Sequence, residues 1–159
     1  GAHAHKLGVP LMAATPPERD AMLREPAVAE AFDLAASADV MLVGIGTTVD
    51  EASLVSSGMI DSGAMDLIRQ AGAKGELLGH FFLPDGRRVV TEATERIVSQ
   101  PLDRLRAARI VAVAGGPIKI EAVRSVLASG ILDGLITDER TARALVDLAP
   151  TARTLEPAE

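Results

Sequence analysis

Gly115, Gly116 and Lys119 are the residues of this sequence best suited to hold an anion. They follow the apolar run at residues 110–114, which is typical of a strand buried on both faces of a parallel sheet. Paired glycines let backbone N–H groups approach a ligand closely, because no Cβ stands between them. Pro117 suits the first turn of a helix, and a helix N-terminus attracts negative charge. The segment therefore predicts a site for a phosphorylated or carboxylated small molecule, with Lys119 supplying a mobile positive charge.

A second group of candidate ligand residues is Gly44, Gly46 and Thr47, which close the apolar run at residues 40–46. Backbone N–H groups and hydroxyls in such a loop could hold a phosphate or sugar oxygen. Val49 stands where a dinucleotide fingerprint would need its third glycine, so nucleotide binding of that type is excluded. An ordinary tight turn between a strand and a helix remains the alternative interpretation.

Glu76 and His80 are the titratable residues of an otherwise apolar predicted strand. The Glu76 carboxylate could accept hydrogen bonds from sugar hydroxyls, or it could lie at a solvated strand end. By strand alternation His80 faces away from Phe81, and a packed histidine explains it better than a general base. Asp138 is expected to cap the last helix, with contact to a sugar as the alternative. The sequence predicts no catalytic residues, no metal site and no cofactor.

Alternating strands and helices must position these residues. Thr15 and either Asp61 or Ser62 are expected to begin helices, and Pro84-Asp85-Gly86 is expected to form a hairpin turn. The pattern predicts an α/β fold with a mainly parallel sheet, in which ligands bind at the carboxyl ends of strands, so we expect residues 44–47, 115–116 and 137–138 to converge. The predicted strands are residues 9–14, 40–46, 76–83, 87–90, 97–98, 110–114 and 132–137, and the predicted helices are residues 18–23, 26–38, 52–57, 61–70, 102–108, 118–129 and 139–148.

Length and composition indicate one domain. The 159 residues are 48% hydrophobic but only 2% aromatic, so the core must consist mainly of Leu, Val, Ile and Ala. We expect this domain to occupy residues 1–150 and a tail without fold signals to occupy residues 151–159.

Charge and residue usage exclude several functional classes. The net charge is -6 and no basic run occurs, so direct contact with DNA is not expected. The absence of Cys excludes disulfides and thiolate catalysis. No apolar run approaches the length of a membrane span and no signal-peptide pattern begins the chain, so we expect a cytoplasmic protein without membrane contact.

Four segments in order resemble the effector-binding domain of the SorC family of bacterial transcriptional regulators, which is related to the DeoR regulators. Together they run through most of the chain, and the order of four segments is more specific than any single one. The segments are A-D-V-M-L-V-G-I-G at residues 38–46, G-A-K-G-E-L-L-G-H-F-F-L-P-D-G at 72–86, V-A-V-A-G-G-P-I-K-I-E-A-V at 111–123 and L-I-T-D-E-R-T-A at 135–142.

The resemblance implies a Rossmann-like sheet similar to ribose-phosphate isomerase and glucosamine-phosphate deaminase. It implies a phosphorylated sugar as effector, bound without turnover by a homo-oligomer, a dimer or a tetramer. Lys119 and the Gly115-Gly116 turn would hold the phosphate, while Glu76 and the loop from Gly44 to Thr47 would face the sugar. DNA would be bound by a helix-turn-helix that this sequence does not contain, and the domain would be incomplete on its N-terminal side.

Two other functions stay open at this point. One is a sugar-phosphate isomerase or deaminase on the same architecture, with Glu76 as the general base and His80 as the second candidate. The other is an oligomerisation module with a vestigial pocket. A non-enzymatic sensor is the leading hypothesis, because the sequence offers anion-binding features without a catalytic constellation.

Overall fold

Strands and helices alternate along the chain, as the sequence pattern predicts. The computed structural model describes residues 4–49, 53–106 and 108–148, and the predicted tail at residues 151–159 lies outside them. The helices are α1 (Pro16–Arg24), α2 (Pro26–Ala36), α3 (Ser53–Ser56), α4 (Ser62–Gln70), α5 (Leu102–Leu105), α6 (Ile120–Ala128) and α7 (Glu139–Asp147). The strands are β1 (Val40–Val43), β2 (Gly46–Thr47), β3 (Gly75–Leu77), β4 (His80–Phe82), β5 (Arg109–Val113) and β6 (Gly134–Ile136).

A parallel sheet with the order β1-β5-β6 forms one layer. Val43 pairs with Ala112, and Ala112 pairs with Leu135, so the three strands end at the same edge. Ile110 and Ala112 are fully buried because α6 covers this side of the sheet with Val123 and Val126. The predicted α/β fold with a parallel sheet is confirmed.

A small antiparallel sheet with the order β2-β3-β4 lies on the other side of α6. Leu77 and Phe82 belong to the same core as α6, while Phe81 packs into a second core with Met65 and Ile68 of α4. Full burial of side chains of this size contributes about 1.5–3 kcal/mol each. The small sheet is therefore held between two helices, α6 and α4.

Helix starts follow the predicted caps. Thr15 accepts a hydrogen bond from the Glu18 N–H at the start of α1, and Asp61 accepts one from the Ala64 N–H at the start of α4. Asp138 caps α7 in the same way, with the Thr141 N–H as donor. Caps of this kind depend on neighbouring residues alone, so the sequence locates them well.

The predicted strand at residues 76–83 is wrong as a single strand. It is a hairpin in which Leu78 and Gly79 form the turn between β3 and β4, with φ angles of 51° and 83°. Positive φ at both central residues belongs to the tight turn that suits the strand twist, where Asn or Gly is usual at the first position. Leu at that position makes the run look like an unbroken strand.

Other predicted strands are also shorter than expected. The run at residues 40–46 leaves the parallel sheet after Val43 and continues into β2. The predicted strand at residues 87–90 is reduced to a bridge between Phe82 and Arg88, although the Pro84-Asp85-Gly86 turn forms. Residues 9–14 and 97–98 are joined only by a bridge between Met12 and Ile97.

Gly86 should tolerate substitution less well than Gly58, and comparison of the two tests the packing of the turn against α6. Both have positive φ, 83° and 70°, so alanine at either position should cost about 1–2 kcal/mol through its backbone alone. A Cβ at Gly86 would also collide with the backbone of Ala128 and Ser129, whereas nothing lies within 4 Å of one at Gly58. We expect urea denaturation to show a larger loss of unfolding free energy for Gly86→Ala than for Gly58→Ala. Equal losses would contradict the close approach of this turn to α6.

Candidate ligand-binding site

Lys119 links the carboxyl ends of two neighbouring parallel strands. It ends the 3-10 turn Pro117–Lys119, which follows β5 and leads into α6. Its half-buried Nζ donates a hydrogen bond to the Ile45 carbonyl oxygen, 2.9 Å away, in the loop after β1. The predicted meeting of these two loops is therefore found, with the ammonium group between them.

Glu76 is buried beside this loop. The residue is 9% exposed and pairs with Gly46 in the small sheet, so the alternative of a solvated strand end is excluded. A Cβ at position 46 would collide with the Glu76 carboxylate, which explains the need for glycine there. The carboxylate accepts a hydrogen bond of 2.6 Å from the Gly79 N–H in the hairpin turn.

Burial raises the pKa of the Glu76 carboxyl above its ordinary value. The Gly79 N–H and the positive charge of Lys119 act in the opposite direction, but they do not cancel the loss of hydration. A carboxylate held in this way opposes folding when it ionises, and such groups are frequent at functional sites. The geometry therefore brings the positive charge of Lys119 close to Glu76, a buried acid whose ionisation opposes folding, at the carboxyl-end edge of the parallel sheet.

The Gly115-Gly116 turn is arranged differently from the prediction. The Gly116 N–H donates to Asp138 Oδ2 at 3.0 Å and to Thr141 Oγ1 at 2.8 Å, so it is already paired within the protein. The geometry therefore does not support a role for this N–H in holding a ligand phosphate. Gly115 is needed for another reason, because a Cβ there would collide with the Asp138 carboxylate.

Asp138 and Thr141 are the residues of this region whose role the sequence did not reveal. Asp138 was expected as a helix cap near the glycine turn, with sugar contact as the alternative, yet it also braces that turn from the end of β6. The hydrogen bonds from the Thr141 backbone and side chain, and from the Gly116 N–H, hold the pKa of the Asp138 carboxyl below its ordinary value. The only available signal was an Asp at a strand end, which is too common to identify a brace.

The remaining candidates, Gly44 and Thr47, lie in the same loop but in different surroundings. Gly44 is exposed and has open space where a side chain would be. Thr47 is buried in β2, where it pairs with Gly75. The neighbouring Thr48 hydroxyl donates to the Ala73 carbonyl oxygen at 2.8 Å and so has a structural role.

His80 does not join Glu76. In the hairpin Glu76 pairs with Phe81 while Leu77 pairs with His80, which places the two titratable side chains on opposite faces of the small sheet. The buried His80 donates from Nε2 to the Gln100 carbonyl oxygen at 2.7 Å. Burial lowers its pKa, as does the charge of Arg88, while the hydrogen bond to Gln100 opposes this shift. His80 is the packed histidine that the sequence favoured.

Two further observations concern other possible binding sites in the described residues. A cavity of about 390 Å³ is lined by residues that include Arg19, His80, Arg88 and Gln100, but by none of the seven predicted ligand residues. In the part of the chain that the structure describes, no three acidic or histidine side chains are grouped as a metal ion would require.

Within the described ranges, no helix is both long enough and apolar enough to cross a lipid bilayer.

Comparison with known proteins gives a consistent match. Residues 1–147 match the family model described as "Putative sugar-binding domain". The chain is 44% identical over 146 residues to the erythritol catabolism regulatory protein EryD of Brucella abortus, covering 92% of this chain and 46% of EryD. The chain thus spans about half the length of the curated relatives it matches.

Solved structures share the fold. A DeoR family transcriptional regulator from Listeria monocytogenes superposes with a TM-score of 0.80 at 22% identity, covering 90% of this chain and 58% of the other. The full-length sorbitol operon regulator SorC from Klebsiella pneumoniae gives a TM-score of 0.75 at 24% identity, covering 86% of this chain and 45% of SorC. At these identities the likeness concerns the fold alone.

The raised pKa of Glu76 predicts how stability changes with pH. Because the folded state holds this proton more tightly than the unfolded state, the contribution of Glu76 to stability is present below the unfolded value of 4.5. It is lost as pH rises through the higher folded pKa. We expect Glu76→Gln to be more stable than the wild type at neutral pH, with the difference shrinking towards pH 4.5. Melting curves across this range measure it.

The exposed Glu92 provides the control for this experiment. Glu92→Gln should leave the melting temperature at neutral pH close to that of the wild type. A Glu76→Gln variant that is no more stable than the wild type at neutral pH would show that its partners fully compensate the buried charge.

Removal of the Asp138 brace should loosen the glycine turn. We expect Asp138→Ala to lower the melting temperature and to speed hydrogen exchange at the Gly116 amide, because that N–H loses an acceptor. Asp61→Ala removes the cap of α4 instead, so it should lower the melting temperature without affecting Gly116. Exchange measured by NMR distinguishes the two, and unchanged exchange at Gly116 in Asp138→Ala would refute the brace.

Proposed function

Since this chain belongs to the family of sugar-binding domains found in SorC/DeoR-type transcriptional regulators, we propose that it binds a phosphorylated sugar as an effector and does not convert it. The observation that carries the proposal is the position of the Lys119 ammonium. It lies between two strand ends, hydrogen-bonded to the Ile45 carbonyl oxygen, with buried Glu76 close enough to feel its charge. One group suits a phosphate and the other suits sugar hydroxyls.

Lys119 is the phosphate-binding residue in this proposal. A positive charge just before α6 is unfavourable against the helix dipole unless an anion lies nearby. The hydrogen bond to Ile45 holds the ammonium near the loop of Gly44 and Gly46 rather than in open solvent. Gly116 has a φ of 100° and lets the chain turn there, while its N–H stays with Asp138 and Thr141. Gly115 leaves space for the Asp138 carboxylate.

Glu76 binds the sugar in this proposal. Hydrogen bonds to a charged group contribute about 1.5–3 kcal/mol, so hydroxyls directed at this carboxylate would add both affinity and selectivity. Gly46 leaves room beside the carboxylate, since any side chain there would displace it. A buried acid that costs stability in the free protein is consistent with a binding role.

The enzyme alternative is less well supported. The curated relatives are named transcriptional regulators. Isomerisation or deamination of a sugar phosphate needs proton transfer at two positions of the sugar. Glu76 and His80, the two candidate bases, lie on opposite faces of the small sheet and so cannot act on one substrate from the same side.

The regulatory role belongs to a longer protein in this proposal. An acidic chain without a basic run would leave DNA to a separate helix-turn-helix. The effector would act by binding one state of a homo-oligomer, a dimer or a tetramer, more tightly than the other, since differential affinity is all that such a shift requires. We place the protein in the cytoplasm, where phosphorylated sugars and DNA are both present.

Thermal-shift measurements with a panel of sugar phosphates test this function. The panel should contain sugar and polyol phosphates of different lengths, their unphosphorylated forms and inorganic phosphate. Erythritol and its phosphate belong in it, because EryD is named for erythritol catabolism. A phosphorylated ligand present at about 100 times its Kd should add about 2.7 kcal/mol of stability.

Lys119→Ala should abolish this shift. Without ligand its melting temperature at neutral pH should be somewhat lower than that of the wild type, because the Ile45 carbonyl oxygen loses a donor and Glu76 loses a nearby positive charge. Lys6→Ala, which removes an exposed lysine from an irregular segment, should retain the shift. A shift that survives in Lys119→Ala would remove Lys119 from the site. Chemical conversion of the bound sugar, followed by NMR, would favour the enzyme, and no stabilisation by any phosphorylated sugar would favour an oligomerisation module.

A further inference from the structure

The cavity of about 390 Å³ lies at β4, the outer strand of the small sheet, and four separate segments line it. Arg19 comes from α1, His80 from β4, Arg88 from the segment after β4 and Gln100 from the segment before α5. Small-molecule sites in proteins have volumes of about 300–1,000 Å³. A liquid water occupies only about 30 Å³, so the cavity has room for a molecule much larger than a single water.

Two buried polar atoms of residues that line this cavity lack a hydrogen-bond partner. They are Arg19 Nε and Gln100 Oε1, and they account for two of the three such side-chain atoms in the described part of the chain. A buried polar atom without a partner is unfavourable and therefore requires an explanation. A molecule in the cavity would supply both partners after small side-chain movements, an acceptor to Arg19 and a donor to Gln100.

Gln100 is fixed by hydrogen bonds that leave its side-chain oxygen without a donor. Its backbone carbonyl oxygen accepts a hydrogen bond of 2.7 Å from His80 Nε2. Its side-chain Nε2 donates to the carbonyl oxygen of Phe32 in α2. The residue is 4% exposed, so the amide group is held in place. An amide oxygen in this position accepts a hydrogen bond from a hydroxyl group.

His80 offers a second acceptor. Burial lowers its pKa, so the imidazole is neutral at neutral pH. Nε2 carries the proton that is donated to Gln100, which makes Nδ1 the nitrogen that can accept. No described residue donates a hydrogen bond to Nδ1. A hydroxyl group of a bound molecule is a suitable donor.

The charged side chains that line the cavity balance one another. Arg19 and Arg88 are positive. Asp20 and Glu95 are negative, so the four formal charges sum to zero. Arg19 pairs with Asp20 at 2.7 Å, whereas neither Arg88 nor Glu95 forms an ion pair with a described residue. A phosphate is attracted by an excess of positive charge, which this lining does not have. Hydroxyl groups can accept from a guanidinium and donate to a carboxylate, so the lining favours an uncharged, hydroxyl-rich molecule.

We propose that this cavity is a second ligand site of the domain and that it binds an uncharged polyol or monosaccharide. The hydroxyl groups of the ligand accept hydrogen bonds from the two arginines and donate to Gln100 and His80. The Lys119 site differs, because a single cation there suits a phosphate. The inference does not depend on the proposed function, since the two sites share no residues. Hydrogen bonds to a neutral ligand replace those to water, so we expect a Kd of about 1 mM or weaker.

NMR titration of this chain tests the inference. Erythritol, xylitol, glucitol and glucose are added separately, each up to about ten times the expected Kd of about 1 mM. The amide signals of residues 79–81, 88–90 and 99–100 should shift and saturate with at least one of them, while those of Glu76 and Lys119 should not. Inorganic phosphate should leave the amide signals at the cavity unchanged. Added salt should change the Kd of the polyol by less than about twofold, because an uncharged ligand is not screened.

Arg88→Ala and Arg87→Ala form a matched pair of variants. Both arginines are exposed, but Arg88 lines the cavity, while Arg87 pairs with Asp85 at 2.7 Å and does not line it. Arg88→Ala should weaken polyol binding about tenfold, because the ligand loses a charged donor. Arg87→Ala should bind the polyol as the wild type does.

Three results would each overturn the inference. If no polyol shifts the amide signals at the cavity of the wild type, water alone fills it. If the Kd is the same in Arg88→Ala as in the wild type, the polyol lies elsewhere. If inorganic phosphate shifts these signals at lower concentration than the polyols do, the cavity is an anion site instead.

Discussion

The burial of α6 between two sheets determines how Lys119 and Glu76 lie relative to each other. Val123 and Val126 are fully buried against the parallel sheet, and Gly75 of the small sheet lies so close that a Cβ there would collide with the Ala122 carbonyl oxygen and the Ser125 hydroxyl. α6 begins directly after Lys119, and β3 carries Glu76 one residue after Gly75. Close packing of one helix therefore brings a cation from one layer towards an acid from the other.

In this arrangement the ionised form of Glu76 is electrostatically unfavourable. Glu76 loses hydration on burial, and neither the Gly79 N–H nor the charge of Lys119 fully restores it. Two other buried polar groups have a structural explanation: the Thr48 hydroxyl donates to Ala73 and His80 donates to Gln100. Glu76 differs because a carboxylate can accept more hydrogen bonds than the one it receives from Gly79. A sugar hydroxyl is a natural additional donor.

Features that depend on neighbouring residues were predicted well from the sequence. Features that depend on contacts between distant residues were not. The caps at Thr15, Asp61 and Asp138 depend on a side chain and an N–H three residues away, so the sequence places them correctly. The hairpin turn at Leu78 and Gly79 was missed because leucine adopts a positive φ there, which only pairing of β3 with β4 makes worthwhile. The predicted strand at residues 87–90 is reduced to a single bridge for a related reason. Turn residues alone do not ensure that the residues after them pair as a strand.

The sequence by itself determined the α/β class, the family resemblance and the types of residue available for binding. These properties depend on residues that are close together in the chain: the periodicity of strands and helices, the glycine turns and the order of the motifs. Only the tertiary structure decided the individual contacts that these residues make. The strand register places His80 and Glu76 on opposite faces of the small sheet. The packing of α7 lets the Gly116 N–H donate to Asp138 and Thr141. The exposure of the apolar residues Leu42, Val113 and Ile136 on the parallel sheet likewise became visible only in three dimensions, since an apolar residue in the sequence does not reveal whether anything covers it.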